Sequence, residues 1–211
     1  MARAQAQAAD LVVCARRDDR RTIVSLPGRY SLDDGAIVKG ERRLYACRAV
    51  NVSMRGLAVT APVTAKVGVA VCADIDGLGR LKGIITREFR QGFVMSIVAS
   101  DDERELLATK IDWLEMNKNL EIPDDRAHAR FIPRRPHSLL MLPDGSMLPC
   151  FVIDISVSGA AVSADIMPKI GTVLAVGSVV GRVVRFFPGG FAIQFNAVQE
   201  RQDVEALVIR R

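Results

Sequence analysis

Along most of the chain apolar residues alternate with polar ones at a period close to two, as in Leu57-Ala-Val59, Val67-Gly-Val-Ala-Val71 and Phe191-Ala-Ile193-Gln-Phe195. Half-buried strands produce this alternation, because successive side chains of a strand point to opposite faces of the sheet. Asp-Gly and Gly-Gly pairs punctuate the runs, so the pattern predicts short strands joined by tight turns, in a sandwich or a barrel. Two stretches break the period. Ser100-Asp-Asp-Glu103 has the form of a capping box with acids in the first turn, and Leu107, Ile111 and Leu114 follow on one helical face. A helix ending near Asn117 is expected there, and a weaker pattern, Val204, Leu207 and Val208, predicts a second one.

The pattern also repeats at long range. Cys47-Arg-Ala-Val-Asn51-Val-Ser53-Met-Arg-Gly56-Leu-Ala-Val reappears as Cys150-Phe-Val-Ile-Asp154-Ile-Ser156-Val-Ser-Gly159-Ala-Ala-Val, at a constant offset of 103, and Lys66-Val-Gly68 recurs in register as Lys169-Ile-Gly171. Gly83 through Arg87, Phe89 and Gly92-Phe93 return as Gly181 through Arg185, Phe187 and Gly190-Phe191 at offset 98; upstream, Leu32-Asp-Asp-Gly35 matches Leu142-Pro-Asp-Gly145 at offset 110. Identities that hold register this far mark two copies of one domain. The chain is therefore divided into a leader (residues 1–15), a first domain (16–118), a linker (119–125) and a second domain (126–211).

Composition narrows the class without naming it. With 49% hydrophobic and 25% charged residues among 211, the chain has the apolar mass to bury a core in each copy. Its longest apolar runs, such as Val67 to Ala73, fall well short of the ~18 residues that read as a membrane-spanning helix, so no membrane insertion is expected. The first fifteen residues lack the apolar core of a secretory signal, and a cytoplasmic protein is expected. Cys14, Cys47, Cys72 and Cys150 have neither disulfide-framework nor zinc-ligand spacing and read as small buried hydrophobes. The two histidines, His128 and His137, belong to no triad pattern, and there is no glycine-rich phosphate loop, so no enzyme and no metal or cofactor is expected. Asp74 and Asp76 sit near Gly77 and Gly79 at an expected hairpin tip, and Trp113 and Met116 are expected in helix or interdomain packing.

Two recurring features carry chemistry. Each copy opens on an arginine cluster, Arg16, Arg17, Arg20 and Arg21 in the first and Arg126, Arg130, Arg134 and Arg135 in the second. A guanidinium is a planar fork of donors that grips phosphate oxygens or the O6/N7 edge of guanine. The four-residue spacing fits Arg17/Arg21 or Arg16/Arg20, and Arg126/Arg130 or Arg130/Arg134. The other feature is Asn51-x-Ser53-x-x-Gly56 and Asp154-x-Ser156-x-x-Gly159, each between two apolar runs. A carboxylate or amide beside a hydroxyl can bond a purine edge, and the same residues can equally tie a hairpin turn.

Arginine pair and Asp/Asn-x-Ser-x-x-Gly element, in that order and twice over, resemble the PilZ family of bacterial cyclic di-GMP receptors. The resemblance covers about residues 16–98 and 125–196 and includes the Leu-x-Asp-Gly turn and the late Gly-Phe strand. It implies a mainly β fold, with two tandem six-stranded antiparallel barrels each followed by a C-terminal helix. It further implies cyclic di-GMP held by Arg16, Arg17, Arg21, Asn51, Ser53 and Gly56 in the first domain, and by Arg126, Arg130, Asp154, Ser156 and Gly159 in the second. The residue before the pair, Arg16 or Asp125, implies a stacked pair of ligands in the first domain and a single ligand or none in the second. A receptor of this kind is expected to change its domain arrangement on binding and to act through a downstream protein on motility, polysaccharide or biofilm output.

Two other classes remain open from sequence alone. Degenerate copies would serve as a protein-interaction scaffold, and a small basic barrel could bind RNA or single-stranded DNA. Against the nucleic acid, the net charge of +5 is modest and aromatic residues make up 5% of the chain without forming a stacking row.

Overall fold

A computed structural model describes residues 21–35, 37–38, 41–116 and 130–209, and in it the alternating runs become strands whose buried positions recur every second residue. The first copy contributes β1 (Thr22–Leu32), β4 (Tyr45–Val52), β5 (Gly56–Thr60), β6 (Ala70–Ile75), β7 (Gly79–Phe89) and β8 (Gly92–Ile97); β2 (Ile37–Val38) and β3 (Glu41–Arg42) form a short ribbon between β1 and β4. The second contributes β9 (His137–Met141), β10 (Met147–Ser156), β11 (Gly159–Ala164), β12 (Val173–Val176), β13 (Val179–Phe187) and β14 (Gly190–Phe195). Both close into antiparallel barrels, in the order β1-β4-β5-β8-β7-β6 and β9-β10-β11-β14-β13-β12. The second order reproduces the first strand for strand, so the internal repeat is a repeat of topology.

Closure gives each copy its own interior. In the first barrel Leu57, Val59, Ile85, Phe93 and Met95 are fully buried, and in the second Leu140, Val152, Ile155 and Val162 are. Neighbouring strands approach tightly where a side chain is missing: a Cβ on Gly83 would lie 1.8 Å from the Ser96 carbonyl oxygen, and one on the equivalent Gly181 2.4 Å from that of Gln194. Cys47 and Cys150 take equivalent places in the two cores, where burial pushes each thiol up to about 12, outside the reactive range. The run Val67 to Val71 joins the sheet only from Ala70, and Val67 itself is exposed.

Helix α1 (Asp101–Met116) seals one end of the first barrel with Leu107 and Ile111. Its capping box is reciprocal: the Ser100 N–H donates to Glu103 Oε2 at 2.8 Å and the Glu103 N–H donates to Ser100 Oγ at 3.3 Å. The Ser100 N–H and hydroxyl, both donating to Glu103 Oε2, hold this carboxyl below its usual value. Trp113 and Met116, expected in packing, stand 57% and 83% exposed. In the second barrel α2 (Val204–Val208) does the same work in five residues, burying Val204 and Val208.

The two barrels meet along β4. Arg43, in the chain between β3 and β4, pairs with Asp165 at 3.2 Å and donates to the Ala164 and Ile166 carbonyls. Tyr45 Oη donates to Asp165 at 2.8 Å, and the Ala46 N–H reaches both Ser163 Oγ at 3.1 Å and the Gly189 carbonyl at 3.2 Å. Arg48, 7% exposed, donates to the Pro133 carbonyl at 3.0 Å and lies 6.0 Å from the Phe151 ring centroid. His137 meets the same ring edge-on, with 5.6 Å between the ring centroids. The extra loop of the first copy, with Glu41, Arg42 and Arg43, thus carries an inter-barrel anchor. The expected leader and linker, together with Arg16, Arg17, Arg20, Arg126, His128 and Cys14, lie outside the described residues.

Candidate functional site

The ladder slips by one residue at two matched places in each barrel. Between β4 and β5 the slip falls between Ala49 and Asn51, and between β10 and β11 it falls between Val152 and Asp154. Between β7 and β8 it falls just before Arg87, and between β13 and β14 just before Arg185. A bulge leaves one residue unpaired and re-aims the side chains that follow. Here the two slips of each barrel place Asn51 and Arg87, or Asp154 and Arg185, on one hollow of its outer wall.

The first hollow, about 430 Å³, is lined among others by Arg21, Asn51, Ser53, Arg55, Gly56 and Arg87. The second, about 210 Å³, is lined by the equivalent Arg130, Asp154, Ser156, Ser158, Gly159 and Arg185. Ladder position relates the arginines: Thr22 opposes Val52, and Phe131, in a backbone bridge with N···O distances of 2.9 Å each way, opposes Ile155. Arg21 and Arg130 each precede that pair, and so enter their hollows from the same address. Arg134 is not among the residues that line the second hollow, and its backbone N–H donates to Glu205 Oε1 at 3.0 Å.

The motif residues divide into two kinds. Ser53 and Ser156 are almost fully buried and tie their turns. Ser53 Oγ accepts the Gly56 N–H at 3.1 Å, and Ser156 Oγ donates to the Gly159 carbonyl at 3.2 Å. The hairpin role weighed from sequence is one these hydroxyls fill while lining the hollows. Gly159 is required by packing, since a Cβ there would sit 2.5 Å from the Ile193 carbonyl oxygen; at Gly56 the nearest atom is 3.4 Å away. Asp154 is the charged member, held by Arg130 Nη1 at 3.3 Å from both carboxylate oxygens. Its counterpart Asn51 carries no charge, so among the described residues the first hollow is lined by three arginines and no carboxylate, the second by two arginines and one carboxylate.

Sequence reasoning missed Arg55, Arg87 and Arg185. For the last two the signal was present, because Gly83 to Arg87 and Gly181 to Arg185 belong to the repeat; only the bulge reveals that these arginines face the motif. Guanidinium groups beside short polar side chains on a shallow wall suit a phosphate-bearing ligand with hydrogen-bonding edges. Among the described residues no group of three or more His, Cys, Asp or Glu is placed to hold a metal ion, and no helix is long and apolar enough to cross a membrane.

Comparison with solved structures finds loose likenesses spanning both barrels. PlzA of Borreliella burgdorferi in complex with c-di-GMP is 11% identical over 92% of this chain and 94% of its own, with a TM-score of 0.28. The inhibitor of motility MotI of Bacillus subtilis is 11% identical over 89% of this chain and 94% of its own, also at 0.28. YcgR of Escherichia coli in complex with c-di-GMP is 12% identical over 87% of this chain and 80% of its own, at 0.27. No curated protein matches the chain by sequence. The PilZ domain family model matches residues 124–210, the span that holds Arg126, Arg130 and the Asp154-x-Ser156-x-x-Gly159 turn. The family likeness found by sequence therefore falls on the second barrel, which is similar to a PilZ domain.

Proposed function

We propose that this chain is a non-catalytic receptor for cyclic di-GMP, with a ligand site in the hollow of each barrel. The observation that carries the reading is the recurrence of an arginine-lined hollow at one ladder address in both barrels, on a chain whose second barrel is similar to a PilZ domain. Cyclic di-GMP joins two phosphates to two guanines, and both parts are natural partners of guanidinium forks. In the first site Arg17 and Arg21, with Arg16, grip the ligand against Asn51, Ser53 and Gly56. In the second Arg126 and Arg130 grip it against Asp154, Ser156 and Gly159. The larger, more positive first hollow supports two stacked ligands there and one in the second. The domains are assigned as residues 16–118 and 126–211, joined by 119–125.

Binding is transmitted as a change in how the barrels sit together. The segment that follows Arg130 runs through Pro133, whose carbonyl Arg48 of the first barrel holds. A ligand that draws Arg126 and Arg130 inward therefore pulls on the inter-barrel seam, a switch of the order–disorder kind. The receptor works in the cytoplasm and passes the change to a protein partner that sets motility, polysaccharide or biofilm output.

Isothermal titration of cyclic di-GMP into the full chain, with GTP as control, tests the reading. Saturable binding is expected, at reduced stoichiometry in the Arg126→Ala/Arg130→Ala variant and absent when Arg17→Ala/Arg21→Ala is added. No heat in the wild type would overturn it in favour of an interaction scaffold. Solution scattering is expected to show different envelopes with and without saturating ligand; identical envelopes would remove the switch while leaving the binding.

A further inference from the structure

The helices that follow the two barrels sit at different heights. In the second barrel α2 is pressed onto the sheet, since a Cβ on Gly177 would lie 2.3 Å from the Leu207 carbonyl oxygen and 2.4 Å from that of Val208. At the equivalent Gly79 of the first barrel, 98 residues earlier, the nearest atom is Lys110 Nζ at 3.4 Å. Helix α1 stands off, and between it and the β7–β8 end of the barrel lies a groove of about 490 Å³, larger than either hollow. Leu81, Ile97 and Leu107 are its buried floor, while Val98 and Leu106 stand on its rim 62% and 57% exposed. The apolar surface continues along α1 from Leu106 to the exposed Trp113 and Met116, at spacings that keep them on one side of the helix over about 15 Å. A small molecule in the groove would leave this stripe in water, whereas a segment of chain covers both.

Charge decides which kind of segment fits. Arg80 and Lys82 of β7 and Lys110 of α1 line the groove. Lys110 Nζ donates to the Leu78 carbonyl at 2.8 Å, which fixes its charge beside the groove. Asp74, opposite Arg80 in the ladder, is held by Arg29 at 3.0 Å. The acid of the lining, Glu103, accepts the Ser100 N–H and hydroxyl. Three cations against one acid leave the groove positive. Glu105 and Asp112 fall on the other flank of the stripe from Leu106 to Trp113, so α1 is positive toward the groove and negative away from it. An acidic segment is drawn into the groove and repelled from the outer flank.

The same helix is tied to the first hollow at both ends. Arg104 donates to the carbonyl of Met54, inside the turn from Asn51 to Gly56, at 2.9 Å, and to that of Ile97 at 3.3 Å. Thr22 Oγ1, next to Arg21 in the chain, donates to Glu115 Oε1 at 2.7 Å. We propose that the groove docks an acidic, apolar segment of a partner protein, and that α1 couples this docking to ligand bound in the first hollow. The docking stands on the groove alone, and the coupling rests on the reading of that hollow as a cyclic di-GMP site. Coupling of this kind is reciprocal: whatever the ligand does to the partner's affinity, the partner does to the ligand's.

The test is selection from a displayed library of random peptides on the immobilised full chain. Enriched peptides are expected to combine acids with large apolar residues and to bind more weakly as salt is raised. Their affinity, read by fluorescence anisotropy, is expected to fall about tenfold in Leu106→Ala, the lower end for one buried leucine. A loss of about tenfold or more is expected in Arg80→Glu/Lys82→Glu, where attraction becomes repulsion. All three positions are exposed, and unchanged circular dichroism confirms that the barrel persists. No enrichment, enrichment of basic or neutral peptides, or affinities unmoved by these variants would overturn the docking. Enrichment only in a Glu121→Lys/Asp124→Lys/Asp125→Lys background would give the groove to the chain's own acidic segment, and a dimer dissociated by Lys82→Glu would give it to a second copy; either overturns a separate partner. With Arg126→Ala/Arg130→Ala silencing the second site, saturating cyclic di-GMP is expected to shift peptide affinity about fivefold or more. Arg104→Gln is expected to abolish that shift while peptide and cyclic di-GMP each still bind. Peptide affinity unmoved by bound cyclic di-GMP would overturn the coupling. If the first hollow takes no cyclic di-GMP at all, the receptor reading fails there and the coupling with it, while the docking stands.

Discussion

The first barrel carries a helix of sixteen residues over one end and a ribbon on its flank, whereas the second makes do with five helical residues and the short Leu142 to Gly145 turn. Underneath, the strand order, the ladder slips and the buried cysteines coincide. The difference teaches where a duplicated domain is free to change. Whatever holds the ladder shut is retained, because altering one strand of a closed sheet displaces its neighbours on both sides. Length is added at the connections, and from there it is used for contact with the other copy.

The largest effect that would sharpen this comparison comes from the strand crossings. Gly83→Ala is expected to destabilise the first barrel by roughly 3 kcal/mol or more, because the new methyl group meets the fixed Ser96 carbonyl; Gly181→Ala, with a longer approach, is expected to cost about 1–2 kcal/mol. Urea unfolding resolves the two, since Trp113, the single tryptophan, reports on the first barrel and circular dichroism on both. Equal costs would mean that the two closures are equally tight. Next in size is the seam. Arg48→Ala leaves the buried Pro133 carbonyl unpaired and removes a cation from beside Phe151, and is expected to cost about 1–2 kcal/mol. Calorimetry should show it as a loosening of cooperativity between the barrels; a single unshifted transition would show that the anchor at Arg43 suffices.

The smallest effect is that of pH. Burial pulls the His137 imidazole below its usual value, partly offset by the Gln91 backbone, and its Nε2 finds no partner among the described residues. The folded chain therefore keeps the ring neutral while the unfolded chain takes up a proton near the ordinary value of about 6.5. The unfolded state binds more protons on acidification, so this contribution to stability is present above about pH 6.5 and declines below it. His137→Phe is expected to flatten the Tm profile between pH 7 and 5 by a few degrees at most. An unchanged slope would assign the acid sensitivity to carboxylates elsewhere.

Much of this architecture was legible in the residues, for reasons that differ by element. Alternation exposed the strands because a barrel buries one face of each, as β6 and β13 show position by position. The capping box of α1 was legible because its bonds are local in sequence. The hollows were legible in part, since Arg21, Asn51, Arg130 and Asp154, all members of the two recurring motifs, are among the residues that line them. What stayed hidden depends on register between distant strands. Arg87 and Arg185 reach the hollows through a one-residue slip that no local pattern signals, and Trp113 and Met116, apolar enough to be expected in packing, lie exposed. The seam was equally hidden, since nothing in the sequence around Arg43 and Arg48 signals that Asp165 and Pro133 are brought beside them.

Closure has a further consequence for a chain that contains the same domain twice. Open sheets present free edges, and two similar sheets in one chain can exchange strands as they fold or join edge to edge into larger assemblies. A closed barrel has no such edge, and for one copy to lend a strand to the other it must first break two ladders of its own. Once both barrels have closed, each copy is thus kept from taking up the other's strands, without any difference between their sequences being needed to tell them apart.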